Sequence, residues 1–147
     1  MVTIWSQSIL YGIILSEMKK KTETWLELAT NDLLFAKDLL NKKGRAYYAA
    51  HFCHQAIEKI LKAIISEHTD EIPFPTHNFK VLLKQAKIDD LPEDKKRVIF
   101  SLAPHYIGTK YPEDISMLYK RYTTVFVQKL FKETQGVFRW LLKTYLK

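Results

Sequence analysis

Cysteine is almost missing from this chain: Cys53 is the single example among 147 residues. An intramolecular disulfide and a multi-cysteine zinc site are thereby excluded. Glycine (4) and proline (5) are also scarce, too few for the turns of a β-sandwich or barrel. No uninterrupted apolar stretch reaches the roughly 20 residues needed to cross a bilayer. Phosphate-cradling Gly-rich loops, nucleophile elbows and HExxH pairs are absent, so no metal or cofactor is expected and the familiar motif-bearing enzyme classes drop out.

What is present is apolar and positively charged. With 47% hydrophobic residues the chain can bury one core, and its length suits one domain. The formal charge is +7, and its distribution is uneven. From residue 120 to the end there are seven basic side chains (Lys120, Arg121, Lys129, Lys132, Arg139, Lys143, Lys147) against Glu133 alone, while the remainder holds 16 basic and 15 acidic residues. A basic C-terminal element suits a phosphate-bearing partner.

Residues 1–17 are apolar and uncharged up to Glu17, unlike the MKKKTETW run that Met18 opens. They lack the basic n-region of a signal peptide, and Ile9 to Leu15 is too short for a membrane span. The stretch reads as an extension upstream of a natural start at Met18, or else as a segment docked on a partner. Residues 18–147 form the domain proper, expected to be cytoplasmic and away from any membrane.

From Met18 onward apolar residues recur at helical steps. Trp25, Leu28, Ala29, Leu33, Ala36, Leu39 and Leu40 mark a first helix, capped by Thr22 or Thr24 and stopped by Asn41-Lys42-Lys43-Gly44. A second helix, about Arg45 to His68, is apolar or small on nearly every side, so it is either central or part of a subunit contact. Two prolines open a loop at Pro73 and Pro75. Thr76 can cap a short third helix ending near Lys87, and Asp90-Leu91-Pro92-Glu93 resembles a capping box for a fourth, disturbed at its end by Pro104. A fifth helix covers most of Asp114 to Leu146. The predicted fold is all-α, a five-helix up-and-down bundle.

On the last helix Lys129, Lys132, Arg139, Lys143 and Lys147 fall within about 80° of one another. They form either a solvated polar face or a stripe that tracks phosphates of RNA or a nucleotide. His51, His54 and Glu58 share one face of the second helix without the further ligands a metal needs, and read as hydrogen-bonded groups in an apolar seam. Cys53 reads as a small buried hydrophobe.

The order Trp25-Leu26-Glu27-Leu28-Ala29, Asp32-Leu33, Tyr47 to Lys62 (YYAAHFCHQAIEKILK), Pro75-Thr76-His77-Asn78-Phe79 and Tyr106 to Pro112 (YIGTKYP) resembles the HEPN family over about residues 22 to 145. That resemblance implies an all-helical bundle that forms a homodimer and is linked to nucleotide binding. Prokaryotic members often work with a minimal nucleotidyltransferase, many such pairs acting as toxin and antitoxin. Catalytic members are metal-independent ribonucleases with an Arg and a His four to six residues apart, the cation stabilising the scissile phosphate and the imidazole moving the proton.

This chain departs from that motif. Arg97 and His105 are separated by seven residues with Pro104 between them; Arg45 and His51 are separated by five, but open the second helix, where the pair would diverge by about 120°. Tyr106, Lys110 and Tyr111 remain as ligand contacts: Lys110 stands where relatives often carry Arg, and the tyrosines can stack on a base or simply pin the loop. The expectation is a non-catalytic nucleotide- or RNA-binding dimer, with a ribonuclease toxin using Arg97 and His105, or a purely structural assembly partner, as the alternatives.

Overall fold

The computed structural model describes residues 18–107 and 115–146. The extension 1–17, the loop positions Lys110 and Tyr111, and Lys147 lie outside the described residues. Those described form helices and no strand. They are α1 (Lys20–Leu39), α2 (Ala46–His68), α3 (Phe79–Gln85), α4 (Glu93–Ser101), a 3-10 turn (Ala103–His105), α5 (Ile115–Arg121) and α6 (Thr124–Tyr145).

α1 does not use the threonine caps expected from its sequence. It starts at Lys20 with no side-chain cap of its own. The carboxylate of Glu67, at the far end of α2, accepts the Lys19 N–H at 3.2 Å and the Thr22 hydroxyl at 2.9 Å. One backbone donor at the helix start is thus met from a neighbouring helix. Thr22 is buried inside the first turn, and Thr24 turns back to the Lys20 carbonyl. At the other end Gly44 takes a positive φ of 77°, which a glycine adopts without the Cβ clash of other residues, and the chain reverses into α2.

α2 is the central helix. Fifteen of its 23 residues are buried, with α1, α6 and α3 packed on it. A helix apolar on nearly all sides is covered here within one chain, so its composition needs no second subunit as an explanation. Part of the uncovered apolar surface lies where α1 and α2 meet solvent: Leu28, Phe35 and Tyr48 are exposed, and Phe52 meets Phe35 edge-on at 4.7 Å.

The cap of α3 is Asn78, whose Oδ1 accepts from Lys80 N and Val81 N, while Thr76 accepts from Asn78 N and shapes the approach. The capping box expected before α4 does not form: Pro92 occupies the cap position without a side-chain hydrogen bond, and Glu93 and Asp94 meet the positive end of the helix dipole instead. Pro104 lies in the 3-10 turn that closes α4, as expected. The single fifth helix is two. Thr123 is extended (φ −72°, ψ 157°) and its hydroxyl accepts the Phe126 N–H at 3.2 Å, so it ends one helix and caps the next. Among the described residues no helix is long and apolar enough to cross a membrane.

Candidate functional site

The basic stripe of α6 forms on the side opposite its core face. Val127, Leu130, Phe131, Thr134, Val137, Phe138 and Leu141 are buried, and Lys129, Lys132 and Lys143 are exposed on the other side. Lys129 is 3.9 Å from Glu133, one turn on. Arg139 departs from the stripe: it is half-buried, and its Nη2 is buried with no hydrogen-bond partner among the described residues. Among the described residues the stripe is therefore reduced to three exposed lysines.

Arg97 is exposed on α4, whereas the His105 ring turns toward α6, with Nδ1 2.8 Å from the Tyr122 hydroxyl and an edge-on contact to Phe126. Arg45 is exposed at the start of α2, and His51 is engaged elsewhere, its Nδ1 accepting the Ile107 N–H at 3.0 Å. That bond requires the lone pair on Nδ1, which places the His51 proton on Nε2. Burial pushes the His51 pKa down, favouring the neutral ring the bond needs.

Tyr106 belongs to a cluster that no local sequence pattern announces. Its hydroxyl is 2.8 Å from His77 Nε2, and its ring stacks on the same histidine at 3.9 Å. His77 Nδ1 is 2.7 Å from Glu58 Oε1, and Glu58 Oε2 accepts from Lys62 Nζ at 3.2 Å. The rings of His51 and His54 flank Tyr106 at 5.3 and 5.2 Å. Glu58 and Lys62 are both buried, so the carboxylate draws His77 and Tyr106, two residues from separate loops, onto α2. His54 Nδ1 lies 3.9 Å from Glu58 yet stays neutral, its pKa lowered to about 4 because burial outweighs the attraction of that carboxylate. The face shared by His51, His54 and Glu58 is thus a hydrogen-bonded seam, and no group of three metal-ligating side chains occurs among the described residues. Cys53 is fully buried, its thiol pushed up to about 12 by burial.

A cleft of about 430 Å³ opens at the end of the bundle where the α1–α2 turn faces the α5–α6 break. Lys42, Lys43, Gly44, Ala46 and Tyr47 line one side; Tyr119, Tyr122, Thr123 and Thr124 line the other. Sequence reasoning missed it because its two halves are some 75 residues apart and the α5–α6 break was not foreseen. Tyr122 is its buried floor. Burial raises the Tyr122 pKa, opposed by the neighbouring Arg121 charge, and its hydroxyl lies 2.8 Å from His105 Nδ1.

Compared with known proteins, the chain matches the family model of the HEPN domain over residues 22–145. No curated protein and no solved structure matches it.

Proposed function

Since the chain belongs to the HEPN family, which its match spans almost end to end, we propose that it is a non-catalytic nucleotide- or RNA-binding module that works beside a minimal nucleotidyltransferase in a toxin–antitoxin-like pair. The sequence spacing of Arg97 and His105, seven residues with Pro104 between them, supports the non-catalytic part. A ribonuclease of this type needs cation and imidazole on one phosphate, and here Arg97 is solvent-exposed while His105 is engaged by Tyr122. The exposed Lys129, Lys132 and Lys143 supply charge for the phosphate backbone. The exposed Leu28, Phe35 and Tyr48 form a face for a second copy, giving the homodimer. The module acts in the cytoplasm.

Titration of a fluorescent single-stranded RNA at several salt concentrations tests the binding. Affinity should fall as salt rises, and Lys132→Gln with Lys143→Gln should reduce the slope of log K against log salt by about 1.4, about 0.7 for each phosphate left without its lysine. Binding insensitive to salt would refute the charge-driven reading. Phe35→Glu should turn a dimer into a monomer by light scattering; a wild-type monomer at micromolar concentration removes the dimer. Co-expression with a nucleotidyltransferase encoded beside it tests the pairing, and failure to co-purify counts against it.

A further inference from the structure

The cleft between the α1–α2 turn and the α5–α6 break is a built cavity that neither the basic stripe nor the Tyr106 cluster explains. We propose that it binds a single nucleoside monophosphate unit, with the phosphate at Lys42 and Lys43 and the base against Tyr119. The proposal rests on the nucleotide-binding reading and adds a place and a ligand size to it.

Size is the first constraint. About 430 Å³ lies within the range of small-molecule sites, roughly 300–1,000 Å³, and toward its lower end, so the cleft suits one ring-bearing unit. Charge is the second. Lys42 and Lys43 are the only ionic side chains of the lining, and neither pairs with a carboxylate among the described residues. Two ammonium groups match a phosphate monoester, which carries about −1.5 to −2 at neutral pH.

The remaining lining supplies donors and an aromatic surface. Thr123 and Thr124 open the 22-residue α6, whose first-turn N–H groups have no intrahelical acceptor; Thr123 Oγ1 satisfies that of Phe126. Tyr119 is half-exposed, and its hydroxyl lies over Gly44, where an added Cβ would come within 3.5 Å of it. That leaves the ring as an open face on which a base can stack. Tyr122 is buried, its hydroxyl engaged with His105, and serves as floor. The lysine-bearing turn is held in place from across the gap, since Gln128 Nε2 of α6 donates to Asn41 Oδ1 at 2.9 Å. The two walls are thus tied together beside the cleft.

The same chemistry is offered by a free nucleotide and by the 5′-phosphorylated end of an RNA, so the test has arms for both. Binding of AMP, adenosine, inorganic phosphate, and a short RNA with and without a 5′-phosphate is measured by calorimetry on the full chain. AMP should bind at least tenfold more tightly than adenosine. Lys42→Gln with Lys43→Gln should cost AMP tenfold or more and leave adenosine unchanged; Tyr119→Ala should weaken AMP and adenosine and spare inorganic phosphate. Circular dichroism checks that these surface variants keep their helices, and the single variants Lys42→Gln and Lys43→Gln, each expected to lose part of the affinity, serve if the pair does not. A 5′-phosphate that strengthens RNA binding in the wild type alone assigns the RNA end as the source; an AMP effect without it assigns the free nucleotide. If RNA binds but AMP does not, or if the lysine pair leaves AMP affinity unchanged, the cleft assignment is overturned while the RNA reading stands. If AMP binds through the lysines but RNA without a 5′-phosphate does not bind, the cleft stands and the RNA stripe falls.

Discussion

Replacing Glu58 by Ala should be among the most damaging single changes in this protein. Glu58 and Lys62 are buried one turn apart on the central helix, 3.2 Å between Nζ and Oε2. Glu58 also holds His77 at 2.7 Å. Removing the carboxylate leaves an ammonium in the core and frees the loop that His77 and Tyr106 anchor. Breaking one side of a buried pair costs about 3–5 kcal/mol. The lower end applies here, because the Trp25 ring, 5.3 Å from Lys62 Nζ, still faces the cation. At about 2.1 cal/mol/K per residue, a chain of 147 residues has an unfolding entropy near 0.3 kcal/mol/K, so a loss of about 3 kcal/mol lowers Tm by roughly 10 °C. Lys62→Met removes the charge and keeps the length, so the double variant Glu58→Gln, Lys62→Met should recover most of what Glu58→Gln alone loses. Urea unfolding of the four members of that cycle gives the coupling directly. A coupling below about 0.5 kcal/mol would refute the idea that these two charges depend on each other.

His54 makes stability depend on pH. Its folded pKa of about 4 is below the ordinary 6.5, so the unfolded chain takes up the proton first: the contribution is complete above pH 6.5 and is lost as pH falls toward 4. That amounts to about 3 kcal/mol, readable as a falling urea midpoint, and His54→Leu should flatten the fall. Thr123→Ala removes the α6 cap and should cost about 1 kcal/mol by the same assay; no loss would mean the α5–α6 break is set otherwise. Cys53 should resist a thiol reagent in native buffer and react once urea unfolds the chain, as burial and a pKa near 12 require. Rapid native labelling would contradict that burial.

The parts legible in the sequence are those fixed by local periodicity and local caps. α2 was readable to within a residue because its apolar content has no competing signal, and the Gly44 stop because a positive φ favours glycine. The helix break at Thr123 was not, because Leu118, Tyr122, Phe126 and Leu130 keep a helical apolar spacing straight through it. The caps of α1 and α4 failed for another reason: α1 borrows Glu67 from 45 residues away, and α4 relies on its first-turn acids. The same nonlocality hid the site. His77 and Tyr106 meet Glu58 only after two loops have been laid against α2, and the lysines that line the cleft belong to a turn that reads, in sequence, as a helix stop.

One ridge of the central helix explains why those loops come to rest where they do. His54, Glu58, Lys62 and Ser66 recur every four residues, and all four are buried in a helix otherwise lined with Ala, Ile and Leu. An aliphatic helix alone would pack almost as well after a small rotation, because dispersion and apolar burial have little directional preference. A polar ridge does not allow that. Rotating α2 would carry Glu58 away from His77 and Lys62 away from the Trp25 ring, and buried polar groups that lose their partners are costly. The ridge therefore fixes the rotation of α2, and with it the position of Tyr47 and Lys43 at its start relative to α5 and α6. The shape of the cleft at one end of the bundle is set by polar contacts made to other elements from a ridge buried along the middle of it.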